Sequence, residues 1–412
     1  MKNIFGAEAG EFYIIEKAAE NIFRRYNYNP IKIPVIEIVP LFSRSIGEAT
    51  DIVEKEMYVF EDKGGRNLAL RPEGTAGVVK AYIEENLAQK FPSQKFFYSG
   101  QMFRQERPQA GRYREFMQIG CEYFGNASVY ADIEIIILSF EILKSAGIGN
   151  LEVRINSIGC GKCRPAFVGY IKEKLKNSYE TLCDDCKRRF DRNPLRTLDC
   201  KIDGGKFCDI EMHLCGECAS DFEKLKAGLK NLDIKFTVPN TLVRGLDYYT
   251  KTVFEIVSDE LGSQNAVCAG GRYDNLVEEL GGMPTPAVGF AIGVDRLVEI
   301  LKKSSPNEDS QNADVFVAAF GNDEVLGYGF EILQNLRNSD IVCDGGYFSK
   351  SIKAQMRMAD ALSSGYVLIA GEDELKNRAV TLKNMKTKEQ KSVEIKNINS
   401  EICRLVKTAQ TK

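Results

Sequence analysis

Within residues 1–301 the hydrophobic pattern predicts a helix over Glu11–Arg25. Strand-like segments follow at Lys95–Ser99, Phe116–Phe124 and Val253–Val257, with helices between them. Strands and helices do not alternate strictly, which predicts an α+β domain on an antiparallel sheet. Lys302–Asn312, KKSSPNEDSQN, is polar, contains Pro306 and has no apolar period, so it reads as a linker. Beyond it, residues 313–412 open with the apolar run Ala313–Phe320. A helical stretch Val325–Arg337, a short strand Ile341–Cys343, a helix around Ser351–Leu362 and the apolar run Tyr366–Ala370 come next. That order predicts a small α/β domain with a largely parallel sheet.

The chain has 412 residues, enough for roughly two or three domains. No apolar run approaches the ~20 residues needed to span a bilayer, and the N-terminus lacks the pattern of a secretion signal. A cytoplasmic protein without a membrane segment is expected. Twelve cysteines should then be reduced thiols or metal ligands. Eight of them crowd between Cys160 and about Leu232, which reads as a helical insertion rich in charge. The net charge of -3 argues against wholesale nucleic-acid coating, yet basic residues outnumber acidic ones from Lys376 to Lys412.

Four segments carry candidate chemistry. Leu70–Ala76, LRPEGTA, is by itself a turn with a carboxylate and a hydroxyl beside a glycine. Phe97–Gly125 reads as strand, loop and returning strand, with four arginines around the loop. On the return strand the period of two places Phe116, Gln118, Gly120 and Glu122 on one face, suited to a ligand with a ring and charged groups. Leu242–Thr250, LVRGLDYYT, with Ala269–Leu276, AGGRYDNL, forms the third. The fourth, Pro286–Leu297, runs through small residues into Asp295 and Arg296. Neither the Walker pattern nor the dinucleotide fingerprint occurs, so nucleotide use cannot be argued from a P-loop.

Together these segments resemble histidyl-tRNA synthetases across nearly the whole chain. Phe103–Glu106 with its loop and Phe116 looks like motif 2 of the class II synthetases, GFAIGVDRL like motif 3, and Ile31–Leu41 like motif 1, which in the family forms a dimer interface. VRGLDYYT and AGGRYDNL resemble signatures of the histidine enzymes in particular. The resemblance implies a class II antiparallel-sheet catalytic domain over 1–301 with the Cys-rich helical insertion at about 160–232. It also implies an α/β anticodon-binding domain over 313–412. Implied with it are ATP with Mg²⁺, L-histidine, tRNA(His) and a homodimer.

By match to motif, Arg104, Arg244 and Arg296 are the catalytic arginines: Arg104 and Arg244 on opposite sides of the α-phosphate, Arg296 at the far end of the triphosphate. Phe116 stacks on adenine with Glu106 and Arg112 nearby. Glu122 and Tyr249 read the imidazole, while Glu73, Gly74, Thr75, Gln118 and Tyr248 surround the rest of the histidine. Met117 stands where many relatives carry a histidine. For tRNA, Arg107 and Gln109 are expected at the acceptor end, and Lys350, Lys353 and Arg357, at i, i+3 and i+7, on the anticodon stem.

Three Cys-x-x-Cys pairs remain, and two of them could supply the four thiolates of one structural zinc, at Cys183, Cys186, Cys215 and Cys218, although the separation of Cys186 from Cys215 exceeds the usual ribbon spacing; reduced thiols are the alternative. The other rival reading is a synthetase-like regulatory subunit of the first enzyme of histidine biosynthesis. Such relatives generally lack the anticodon module and degrade the VRGLDYYT segment, both of which are intact here.

Overall fold

The computed structural model describes residues 3–48, 50–106, 111–207, 209–261, 265–304, 313–345 and 351–410. They form two compact units, the first of residue 3 with residues 10–304 and the second of residues 4–9 with residues 313–410. Among the described residues no helix is long and apolar enough to cross a membrane.

The first unit is built on an eight-stranded sheet. Its order is Asn29–Pro30, Gln94–Phe103, Glu115–Phe124, Ala287–Gly293, Ala266–Arg272, Thr250–Ser258, Leu151–Ser157 and Phe236–Thr237. Every pairing is antiparallel except the two-residue edge strands, which join parallel, so the antiparallel α+β expectation holds. The alternation of side chains gives each strand two faces. From Glu115–Phe124, Ile119, Cys121 and Tyr123 enter one core, against Phe12, Ile15 and Phe23 of the Gly6–Arg25 helix and Ile135, Ile136 and Leu138 of the Val129–Ser145 helix. The helix Val294–Ser304 adds Leu297, Val298 and Ile300 to that side. The other face, with Phe116 and Phe124, meets a second core that the insertion completes with Phe167, Ile171, Leu195, Leu198 and Phe207.

A buried ion pair ties the sheet to its helical layer. Arg272, 1% exposed, directs Nε and Nη2 at the equally buried Asp132 on the Val129–Ser145 helix. It also donates to the carbonyls of Asn126 and Ser128 and to Asp274. Every guanidinium nitrogen is thus engaged, the condition under which a buried charge is tolerated.

A smaller sheet, Ile36–Ile38, Asn67–Leu70 and Val59–Glu61, lies apart from the large one. It leaves Ile36, Ile38, Val59 and Phe60 between 40% and 50% exposed.

The second unit holds a five-stranded sheet in the order Cys343–Gly345, Val315–Ala319, Tyr366–Ala370, Ala379–Asn384, Gln390–Glu394. The expectation of a largely parallel sheet needs correction here. Only the first two pairings are parallel, and the last two strands form an antiparallel hairpin. In that basic stretch Val380, Leu382 and Val393 alternate inward between lysines, so the charge hides a half-buried strand pattern. Asn322 and Ser351 cap the helices Asp323–Arg337 and Ile352–Ala361 by accepting backbone N–H bonds from Val325 and Ala354. The linker residues 305–312 lie outside the described residues.

Candidate active site

The inner face of the large sheet floors a cavity of about 860 Å³, within the size range of sites that take a nucleotide or drug-sized ligand. Into it point Phe116, Gln118 and Glu122 from one strand, as their period of two predicts, with Glu255, Arg296, Arg244, Tyr248 and Tyr249 around them. Glu73, Thr75, Arg104, Glu106 and Arg112 complete the wall among the expected residues. Gly74 is not part of that wall. A Cβ there would overlap the ring of Tyr98, so this glycine lets the tyrosine pack behind the cavity.

Glu122 is the most buried carboxyl of the cavity wall, 1% exposed. Thr75 Oγ1 donates to its Oε1 at 2.7 Å and the Tyr273 hydroxyl donates to its Oε2. Burial pushes its carboxyl up to about 8, although both hydroxyls favour the ionised form. Room for the carboxylate comes from Gly289, where a Cβ would collide with Oε2. Glu73 is also pushed up by burial, against the pull of the Ala76 and Thr75 amides, which donate to its two oxygens at 2.8 and 2.7 Å. It thereby caps the Thr75–Glu84 helix while facing the cavity.

Four guanidinium groups converge on the same cavity, Arg104 near enough to Glu73 to pull its carboxyl down. Arg104 donates from Nε to the Pro72 carbonyl at 2.9 Å and lies 5.3 Å from the centre of the Phe116 ring. Arg112 meets Glu106 at 3.0 Å, and Arg244 meets Glu255 at 2.8 Å. Arg296 donates to the carbonyls of Gly111 and Ala266. Burial, and after it the like charges of Arg112, Arg104 and Arg244, pull the Arg296 guanidinium below its ordinary value. Gln118 Oε1 and Arg244 Nε are buried yet hold no hydrogen bond among the described residues. A site with crowded positive charge and unspent polar atoms at one end, and a buried carboxyl with hydroxyls at the other, suits a polyphosphate joined to a small polar ligand.

Other wall residues were not anticipated. Tyr273 lies inside the AGGRYDNL segment, whose neighbouring Arg272 proves to be structural. Glu255 is the lone acid on the otherwise apolar run Val253–Val257, and that contrast was its signal. Arg196 and Asp199 come from the insertion, where nothing in the sequence marked them. Met117, one residue off the site face, packs into the opposite core, and its N–H donates to Asp295 Oδ2 at 2.7 Å. Arg107, Gln109 and Lys350 lie outside the described residues, whereas Lys353 and Arg357 are exposed on the helix Ile352–Ala361.

The cysteine pairing requires correction. Cys183 and Cys186 do not join Cys215 and Cys218. Instead Cys160, Cys163, Cys215 and Cys218 gather in one group, and Cys183, Cys186, Cys200 and Asp203 in another. The Cys160 turn leaves the end of the strand Leu151–Ser157 beside the start of the Gly216–Asn231 helix, so spatial neighbours differ from sequence neighbours.

A family model of the histidyl-tRNA synthetases matches residues 3–162 and 211–297, and an anticodon-binding-domain model matches 314–405. The chain is 45% identical over 403 residues to a histidine–tRNA ligase of Elusimicrobium minutum, covering 97% of each. It is 50% identical over 398 residues to one of Aquifex aeolicus, covering 95% of this chain and 97% of that protein. The crystal structure of the apo histidyl-tRNA synthetase of S. aureus superimposes with a TM-score of 0.80 at 32% identity, covering 98% of both chains.

The Glu122 environment sets a pH dependence. Its folded-state value of about 8 exceeds the ordinary 4.5, so its contribution to stability is complete below 4.5 and lost as the pH rises through about 8. Against Glu122→Gln, which mimics the protonated acid, the wild-type melting temperature should fall steadily from pH 5 to 8 and then level. Parallel melting curves over that range would refute the buried, protonated carboxyl.

Proposed function

The chain belongs to the histidyl-tRNA synthetase family, and on that premise we propose how its cavity works in activating L-histidine with ATP and transferring it to tRNA(His). The first step yields histidyl-adenylate and diphosphate, and the second yields histidyl-tRNA and AMP. The observation that carries the reading is the convergence of Arg104, Arg112, Arg244 and Arg296 over the buried Glu122. A regulatory subunit without catalysis has no need of that convergence, and the matched anticodon-binding domain also speaks against it.

ATP enters as its magnesium complex, with adenine on Phe116 beside Glu106 and Arg112. The histidine carboxylate attacks the α-phosphorus in line, and negative charge spreads over the phosphoryl oxygens. Arg104 and Arg244 meet that charge from two sides, while Arg296 holds the departing diphosphate. Binding of the polyanion relieves the mutual repulsion of the arginines, so the site is complementary to its ligand before it arrives. Histidine is selected by its ring: Glu122 accepts an imidazole N–H, with Tyr249 as the second reader. Glu73, Thr75, Gln118 and Tyr248 surround the ammonium and carboxylate. A ligand without ring nitrogens leaves these buried groups unpaired, which is how such sites reject analogues.

The Cys160, Cys163, Cys215 and Cys218 group fits a structural zinc. Its sulfurs are separated by 3.8, 3.8 and 3.9 Å, close to the ~3.8 Å edge of a tetrahedron with Zn–S bonds of about 2.3 Å. The ion would brace the insertion and take no part in the chemistry. The exposed apolar face around Ile36 and Ile38 lies in the segment that resembles motif 1, and a second copy of the chain covers it in a homodimer. The second unit reads the anticodon arm, with Lys353 and Arg357 on phosphates, and Arg107, Gln109 and Lys350 add the remaining tRNA contacts.

Pyrophosphate exchange should depend on histidine and on no other amino acid. Glu122→Gln, which cannot ionise as the imidazole N–H arrives, should weaken histidine binding by about 1–3 kcal/mol with ATP binding near normal. Arg244→Ala should lower turnover far more than substrate affinity; an increased Michaelis constant at full turnover would make it a ground-state contact. Ile38→Asp should give a monomer in light scattering, and an intact dimer would place the interface elsewhere. Ending the chain near Ser305 should leave histidine activation largely intact but depress charging and abolish discrimination among anticodon mutants. Undiminished charging with that discrimination retained would remove the second unit from anticodon reading.

A further inference from the structure

We propose that the insertion holds a second metal site, formed by Cys183, Cys186, Cys200 and Asp203, whose ion fixes the wall of the catalytic cavity. The four ligand atoms lie within 4.8 Å of one another. Cys183 and Cys200 Sγ are 3.7 Å apart, near the ~3.8 Å expected between sulfurs on a tetrahedral zinc. Cys186 and Asp203 are fully buried. The Asp203 carboxylate accepts the Cys183 N–H at 2.8 Å and Lys206 Nζ at 2.6 Å, which fixes its orientation and leaves lone pairs for an ion. The cluster falls in residues 163–210, between the two stretches that match the family model. One half comes from the start of the Asp184–Arg192 helix and the other from the turn after Pro194–Thr197, so an ion would tie the ends of two elements whose Cys186, Leu195 and Leu198 already share an apolar core.

The clamped turn reaches the cavity. Leu198, Asp199, Cys200 and Lys201 line it. Just before them Arg196 Nη1 donates to the Gly245 carbonyl at 3.0 Å, and the Asn193 amide donates to Asp247. Gly245 and Asp247 lie between Arg244 and Tyr248, inside the segment that presents these two residues and Tyr249 to the cavity. The ion thus holds, at one remove, the backbone from which Arg244 projects. The metal site stands without the ligase reading, whereas its consequence for catalysis rests on it.

Metal analysis of the full chain purified without chelator should find two zinc ions per chain. Cys183→Ser/Cys186→Ser should retain one and Cys160→Ser/Cys215→Ser the other. One ion in the wild type, kept by the Cys183→Ser/Cys186→Ser protein, overturns the second site. Should that variant fail to fold, cobalt titration of the metal-depleted wild type decides. Two equivalents with distinct four-sulfur and three-sulfur–one-oxygen spectra support the proposal, and saturation at one equivalent sinks it. Asp203→Asn should lose the second ion to a chelator that leaves it on the wild type, and equal retention removes Asp203 from the ligand set. In folded Cys183→Ser/Cys186→Ser protein, exchange turnover should drop roughly tenfold to a hundredfold, the scale of a displaced catalytic group, with little change in the Michaelis constant for ATP. Unchanged turnover overturns the link to the wall. Absence of exchange in the metal-replete wild type would instead refute the ligase reading and leave the metal count untouched.

Discussion

Like charges held close together govern the cavity. Four guanidinium groups cannot share one cleft unless each has a local partner that leaves it half satisfied and half available. Glu106 serves Arg112, Glu255 serves Arg244, the Pro72 carbonyl serves Arg104, and two backbone carbonyls serve Arg296. The partners come from different strands and loops, so the whole sheet must be assembled before the charges take their places. This is preorganisation in the electrostatic sense: the cost of gathering the charges is met in folding and not repeated in each turnover.

The opposite pole is organised by the same economy of polar groups. Glu122 is buried with both oxygens engaged by hydroxyls, and those hydroxyls belong to LRPEGTA and AGGRYDNL. Within the latter, Arg272 turns away to Asp132 in the helical layer while its neighbour Tyr273 turns toward the ligand side. One short segment therefore joins the core that carries the sheet to the floor of the cavity. Removal of Arg272 would leave the Asp132 carboxylate in the interior without its counter-charge.

The sequence carried the strand Phe116–Phe124 and its site face because period-two alternation is a local property. It also carried the arginines of the loop and of the helix start by match to motif. It could not carry Arg196 and Asp199, whose place at the cavity depends on how a long insertion folds back. The cysteine groups failed for the same reason: spacing told which thiols were adjacent in sequence, not which turns meet in space. The C-terminal hairpin was obscured by lysines that lie on its solvent side and conceal Val380, Leu382 and Val393. Glu255 was legible in principle, as a single carboxylate on an apolar strand.

The strand Glu115–Phe124 has hydrogen-bonded neighbours along both edges, Gln94–Phe103 and Ala287–Gly293. Its Met117, Ile119, Cys121 and Tyr123 fill the core against the helices, and its Phe116, Gln118 and Glu122 furnish the ligand floor. Adding or deleting one residue there would exchange the two faces at a stroke, sending Glu122 into hydrocarbon and Ile119 into the cavity. Amino-acid replacements along this strand can be absorbed one position at a time, but its length cannot drift. Among diverging descendants of this chain, insertions and deletions are therefore confined to the connections on either side of it.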